Sequence, residues 1–338
     1  MNSLRSSFRT AQLAQLPTPV VPLIHLGEKT GNNRLFMKRD DLSGSIYGGN
    51  KIRKLEFLLG EAVSEGRKSV ITYGAAGSNH ALATAICCRE LELRPISILA
   101  PQETSSHVRK NILMQQATGA ELHLCSSYTD FPETTRKIAK RCTQEDGVEP
   151  YIIPSGGTNA IGALGFVNAA LELAEQIKPD VIYLPMGTGG TFAGLLVGLK
   201  LTGLKTRIEA IRVVDPAFRN AIHIKNICDE LCKKMGKTDQ VINKNDITIR
   251  DDFFGDGYGI PTPEAEEAVL QFKSLENIHL ETTYTGKTVA ALLHDLKSGR
   301  LEGQTVLYWN TLNSHDFSAD IADLDFHSLP IEFHPYFS

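Results

Sequence analysis

Along the chain, short and nearly continuous apolar runs alternate with longer stretches in which apolar residues recur every three or four positions. The runs predict strands at Ser69–Tyr73, Ile96–Ala100, Glu121–Leu124, Tyr151–Pro154, Val181–Met186 and Glu209–Val214. The periodic stretches predict helices at Lys51–Glu65, Asn79–Glu92, His107–Thr118, Phe131–Gln144, Ala160–Ile177 and Thr191–Leu201. Repeated strand–helix–strand units mark an α/β fold with right-handed crossovers and a parallel sheet. In such sheets ligands bind beyond the carboxyl ends of the strands, so the turns that follow strands are where chemistry is sought. Three of these turns are rich in Gly, Ser, Thr and Asn, and each opens a helix: Gly74–His80, Ser155–Asn159 and Gly187–Thr191.

The Gly187-Thr188-Gly189-Gly190-Thr191 turn lets backbone approach a ligand closely and offers helix-start amides to an anion. It has neither the lysine of a Walker A loop nor the spacing of a dinucleotide fingerprint. A phosphate cradle and a tight strand-to-helix turn both remain open. Gly77-Ser78-Asn79-His80 has the same form with side chains added. Ser78 suits a helix cap, or a carboxylate site built from amides and its hydroxyl. His80 reads first as a core or turn histidine. Gly48-Gly49-Asn50-Lys51 leads straight into a helix, where a cation opposes the helix dipole. Lys51 is thus either a solvated surface lysine or an amine with a depressed pKa, the kind a Schiff-base lysine needs.

Composition narrows the classes. The 338 residues suit two domains or one large one, and 42% hydrophobic residues are ample for a core. A net charge of −4 gives no basic field for nucleic acid and no polybasic membrane patch. No apolar run is long enough to span a bilayer. Six cysteines without a CxxC argue against a disulfide or zinc scaffold and fit a reducing cytoplasm. Met1–Gln15 contains no acidic residue, a composition weakly like an organelle transit peptide. We read it as a frayed N-terminal arm.

Taken together, Gly48–Phe57, Gly77–His80, Ile153–Gly162, Gly257-Tyr258-Gly259-Ile260-Pro261 and Tyr284-Thr285-Gly286-Lys287 resemble one family. It is the pyridoxal-phosphate enzymes grouped as 1-aminocyclopropane-1-carboxylate (ACC) deaminase and D-cysteine desulfhydrase, and the likeness runs from about residue 17 to 311. The resemblance implies fold type II, the tryptophan-synthase β type. Two domains would each have a mostly parallel twisted sheet flanked by helices. Residues 1–50 and 165–338 would form the larger, cofactor-binding domain, and residues 51–164 a smaller inserted one. It also implies roles. Lys51 would bind pyridoxal 5'-phosphate covalently. Gly187, Thr188, Gly189, Gly190 and Thr191, with Lys54, would hold its phosphate, and Asn79 would contact its phenolic oxygen. Ser78, Asn79 and His80 would take the substrate carboxylate. Tyr284 would stack on the pyridine ring, and Tyr258 would line the substrate side. Lys51, Ser78 and Tyr284 would be the catalytic set. No metal is implied, and family members are homodimers acting on small amino acids.

ACC deaminases resemble this chain but carry Glu after the stacking Tyr, where Thr285 stands here, and Leu where Thr311 stands. Desulfhydrases carry Thr at both places. A carboxylate at the ring nitrogen favours the protonated, stronger electron sink, whereas a threonine hydroxyl can donate to a neutral nitrogen. The weaker sink is enough to expel thiolate. The expected reaction is therefore α,β-elimination, with D-cysteine giving pyruvate, ammonia and hydrogen sulfide. ACC ring-opening, a sulfo-lyase or other β-eliminating activity, and a degenerate metabolite-binding protein are the alternatives. Three departures stand out: Leu312-Asn313 in place of the family's Gly-Gly pair, Gly74–Gly77 in place of a polar, Gln-containing stretch, and the tail Ser314–Ser338.

Overall fold

The computed structural model describes residues 4–240 and 242–338. The first three residues of the expected N-terminal arm lie outside them. The strands are β1 (Val20–Pro22), β2 (Leu35–Arg39), β3 (Ser69–Ala75), β4 (Arg94–Ala100), β5 (Glu121–Leu124), β6 (Tyr151–Ile153), β7 (Val181–Met186), β8 (Arg207–Arg212), β9 (Ile249–Arg250) and β10 (Val306–Asn310). The helices are α1 (Ile24–Thr30), α2 (Asn50–Ser64), α3 (Asn79–Glu90), α4 (Ser106–Ala117), α5 (Phe131–Asp146), α6 (Ala160–Gln176), α7 (Gly190–Thr202), α8 (Ala221–Lys234), α9 (Pro263–Glu276) and α10 (Thr285–Lys297). Each strand and helix expected from the apolar pattern is present within a few residues. The pattern missed β1, β2, β9 and β10, and α1, α8, α9 and α10.

The chain divides into two compact units. The larger comprises residues 1–7, 14–54 and 159–314, and the smaller residues 8–13, 55–158 and 315–338. The sequence reading puts residues 165–338 wholly in the larger domain. In the structure, residues 315–338 leave that unit and pack on the smaller one, because Leu329, Phe333 and Tyr336 are buried in its core. The described part of the arm, from Leu4 on, is not frayed either. Leu4 N donates to Asn168 Oδ1 at 3.2 Å in the larger unit, while Ala11 N donates to Glu56 O at 2.8 Å in the smaller.

The larger unit holds a six-stranded sheet in the order β1-β2-β10-β7-β8-β9, parallel except for the β1–β2 pair. Every residue of β7 and β10 is buried, as in the middle of a sheet covered on both faces. α6 and α7 are apolar nearly all round and pack closely. A Cβ on Gly194 would lie only 2.4 Å from Ala163 O, so glycine is what lets the helices approach. β7 leads on to β8 on one side, while the chain returns from β9 to β10 on the other, which makes a switch point between β7 and β10, where such sheets open a crevice at the strands' carboxyl ends.

The smaller unit holds a parallel sheet in the order β5-β4-β3-β6, whose switch point lies between β3 and β6. Alternation along β4 separates its two faces. Ile96 and Ile98 join Ile138 and Cys142 of α5, while Leu99 joins Val108 and Ile112 of α4 and the tail aromatics. The cysteines are buried free thiols, and burial pushes Cys228 up to about 12. Among the described residues, no helix is long and apolar enough to cross a membrane, and no cluster of His, Cys, Asp or Glu could hold a metal ion.

Candidate active site

In the larger unit the crevice is built around the start of α2. The Gly48–Lys51 run is sealed to the end of β10. Gly48 N donates to Asn313 Oδ1 at 2.7 Å, and Asn50 N donates to Thr311 O at 3.2 Å. Both glycines are required. A Cβ on Gly48 would lie 2.0 Å from Asp41 O, and one on Gly49, at φ 88°, 2.7 Å from Thr311 O. Asn50 reaches across to the β7 turn, its Nδ2 donating to Thr191 Oγ1 at 3.0 Å, while its Oδ1 accepts from Lys51 Nζ at 2.9 Å. Burial pushes the Lys51 amine down to about 8, against the pull of the Glu281 carboxylate. One turn along the helix, buried Lys54 is held well below the usual lysine range by burial and by the Lys51 cation.

Arg53, between these two lysines, enters a buried ionic cluster. Its guanidinium donates to Asp40 Oδ1 and Oδ2 at 2.8 and 2.9 Å and to Glu172 Oε2 at 2.9 Å. Lys38 Nζ donates to Glu172 Oε1 at 2.5 Å, Thr18 Oγ1 to Asp40 Oδ1 at 2.9 Å, and Trp309 Nε1 to Asp40 Oδ2 at 2.7 Å. Burial would raise the Glu172 carboxyl, but Arg53 and Lys38 hold it down to about 2.

The β7 turn enters α7 through Gly189, at φ 91°, with no side-chain cap. A Cβ there would lie 2.2 Å from Ile224 Cδ1. A Cβ on Gly187 would lie 3.4 Å from Tyr284 Cε1, so the Tyr284 ring borders the turn. Arg219 Nε donates to Thr188 O at 3.2 Å on the same turn. The Tyr258 and Tyr284 hydroxyls are 2.8 Å apart, with their rings edge to face. Buried Lys287 fixes the loop before Tyr258, donating to Phe254 O at 2.5 Å and Gly257 O at 3.1 Å.

Glu281 is the acidic residue that sequence reasoning missed. Its Oε1 accepts from the Tyr284 and Thr285 amides at 2.9 and 2.7 Å, and its Oε2 from Thr283 N at 2.8 Å, which caps the start of α10. An acid one turn ahead of a helix start is the signal that marks it. Thr285 is fully buried. Its Oγ1 accepts from Glu281 N at 2.9 Å and lies 3.0 Å from both Glu281 O and Glu281 Oε1. Its single proton has two acceptors within reach on Glu281.

In the smaller unit, Ser78 Oγ accepts from Ala81 N at 3.2 Å and caps α3. Gly74 makes room for it, since a Cβ there would lie 2.5 Å from that oxygen. Asn79 Oδ1 accepts from Asn111 Nδ2 at 3.0 Å. His80 turns inward. It is buried, its Nε2 lies 3.0 Å from Thr72 Oγ1, and it supports the turn from beneath. The structure thus places Lys51, Lys54, Gly187–Thr191, Tyr258, Tyr284, Thr285 and Thr311 in the larger unit, and Ser78, Asn79 and His80 in the smaller.

Residues 11–311 match the family described as pyridoxal-phosphate dependent enzyme. The chain is 35% identical over 311 residues to a D-cysteine desulfhydrase of Klebsiella pneumoniae (strain 342), covering 88% of this chain and 91% of that protein. The crystal structure of an ACC deaminase homologue superposes with a TM-score of 0.82 at 31% identity, covering 94% of this chain and 97% of the other. The processed threonine deaminase isoform 2 of Solanum lycopersicum shares the fold, with a TM-score of 0.62 at 17% identity over 92% of this chain and 83% of its own. The glycine-led lysine, the uncapped glycine-rich turn after β7 and these likenesses meet in one conclusion: the chain belongs to the pyridoxal-phosphate dependent enzyme family.

Proposed function

We propose that this chain is a lyase that removes the β-substituent of a small amino acid, with D-cysteine as substrate. Water and D-cysteine would give pyruvate, ammonia and hydrogen sulfide. The observation that carries this reading is the likeness to a D-cysteine desulfhydrase over most of both chains, joined to Thr at positions 285 and 311.

The residues present fit pyridoxal phosphate. Two lysine amines pushed down by burial are what a doubly charged phosphate would relieve, and the uncapped α7 start leaves amides to meet it. Lys51 would hold the cofactor, Lys54 and Gly187–Thr191 its phosphate, and Tyr284 its ring. When bound, pyridoxal phosphate supplies the electron sink for α-proton removal and β-elimination. The protein does the rest. The Ser78 hydroxyl and the amides of the Ser78–Asn79 turn would take the substrate carboxylate. The Lys51 amine, with a pKa of about 8, would accept the α-proton. The hydroxyl pair of Tyr258 and Tyr284 keeps the Tyr284 ring in one orientation. Burial of Lys54 and Thr285 keeps water from the groups behind the site.

Thr285 also speaks against ACC ring-opening. A glutamate there would sit beside Glu281, and two carboxylates that close do not both ionise. The homodimer implied by the family and the cytoplasmic location read from the cysteines are carried over here as proposals. The test is product release from D-cysteine, L-cysteine and ACC in parallel. Pyruvate from D-cysteine alone is expected. 2-Oxobutanoate from ACC, or release from L-cysteine alone, would overturn the assignment.

A further inference from the structure

The segment Phe317–Tyr336 lies beyond the matched family region, yet it is tied to the turn that carries Ser78 and Asn79. Leu329, Phe333 and Tyr336 are buried against Ala76, Ala81 and Val108, the residues that flank that turn. Arg109 Nε donates to Tyr336 O at 2.6 Å, and Gln116 Nε2 to Ser328 Oγ at 2.8 Å, which fasten the segment along α4. Gln102 links the segment to the turn. Its backbone N donates to the Tyr336 hydroxyl at 3.1 Å, and its side-chain Oε1 accepts from Gly77 N at 3.0 Å. Asn111, on the same helix as Arg109, donates to Gly77 O at 2.9 Å. Both backbone polar groups of Gly77 are thereby held by amide side chains.

Gly77 stands in the stretch where the resembling enzymes are polar and contain a glutamine. A side chain has no room there, since a Cβ would lie 2.7 Å from Val108 Cγ2 and 3.2 Å from Gln102 Oε1. The amide arrives instead from the end of β4, set in place by the tail. We infer that Tyr336 and Gln102 are positioning residues: the tail, through Gln102, fixes the Gly77–Asn79 turn in the geometry that binds the substrate carboxylate. This rests on the reading of Ser78 and Asn79 proposed above.

The test uses holoenzyme with Gln102→Ala, the gentler Tyr336→Phe, and Ser78→Ala. D-Alanine, which has no β leaving group, serves as the binding probe, read by the change in cofactor absorbance. Amide hydrogen exchange over residues 77–79 is measured alongside. Loss of one neutral hydrogen bond corresponds to a several-fold effect. Gln102→Ala is expected to weaken D-alanine binding about five- to tenfold and Tyr336→Phe about threefold, with kcat for D-cysteine within about twofold. Exchange should rise at residues 77–79 and stay unchanged in β5 and α5. Unchanged D-alanine affinity in both variants, with Ser78→Ala weakened, would overturn the inference. So would exchange that rises evenly over the smaller unit, because the tail would then only stabilise that unit. If Ser78→Ala also bound D-alanine normally, the carboxylate reading itself would fall. The exchange pattern would still report separately whether Gln102 fixes the turn.

Discussion

The turn after β7 and the turn after β3 are alike in plan and opposite in chemistry. Each follows a buried parallel strand beside a switch point, and each opens a helix. The β7 turn has three glycines and two threonines, caps its helix with no side chain, and belongs to the unit that carries the depressed Lys51 and Lys54. The β3 turn caps its helix with the Ser78 hydroxyl and is braced by the amides of Gln102 and Asn111. A resident dianion calls for bare amides and cations. A transient monoanion is better met by a hydroxyl and neutral amides, which do not trap it. Under the proposed roles, the same strand-to-helix turn would be tuned for permanence in one unit and for turnover in the other.

This contrast is open to test, beginning with the largest effect. Lys51→Ala removes the amine that the first turn serves, and pyruvate release should fall by about 10³-fold or more. Retained turnover would end the assignment. Ser78→Ala should act differently. KM for D-cysteine should rise about tenfold with a smaller change in kcat, and the lost cap should lower stability by about 1 kcal/mol. A kcat loss with KM untouched would erase the distinction between the two turns.

A smaller effect lies in pH. The Lys51 amine titrates near 8 in the folded protein against 10.5 for an ordinary lysine. Below pH 8 both folded and unfolded chains hold that proton, and the folded state bears the full burial penalty. As pH rises from 8 toward 10.5 the folded protein releases the proton first, so this group's penalty fades and stability rises. Cofactor-free protein should therefore gain in Tm over that window relative to Lys51→Met, as measured by thermal melts. Parallel curves for the two proteins would refute the assigned environment. The smallest effect is expected at Asn313→Gly. This variant restores the family's glycine, loses the bond to Gly48, and should cost about 1 kcal/mol in urea denaturation. Asn313→Asp keeps the acceptor and should recover most of the loss.

The strand–turn–helix units around both turns were legible in the sequence because apolar runs, glycines and helical periodicity coincide there. What escaped depends on contacts made from afar. β10 is a short apolar run, and its partners β2 and β7 are remote in sequence. α10 begins Thr-Gly-Lys-Thr, three of them poor helix formers, and its start is secured by Glu281. Leu312-Asn313 reads as a departure until Gly48 is seen donating to Asn313. The resemblance places His80 and Thr285 at the ligand, and it gives no sign that His80 Nε2 lies 3.0 Å from Thr72 Oγ1 or that Thr285 Oγ1 lies 3.0 Å from Glu281 Oε1. The tail carries no periodicity that would reveal its attachment to Gln102.

The ionic cluster around Arg53 bears on how such a site could be transplanted. Gly48–Lys54 looks like a portable cassette, yet its guanidinium is neutralised by Asp40 and Glu172, which lie outside it, the latter in a distant stretch. A scaffold given only that segment would bury an unmatched cation, at a cost of about 3–5 kcal/mol. The smallest graft that would keep Lys51 in this setting is therefore discontinuous. It has to bring Thr18, Lys38, Asp40, Glu172 and Trp309 along with the loop, so the motif visible in the sequence is only the outer edge of the unit that would have to move.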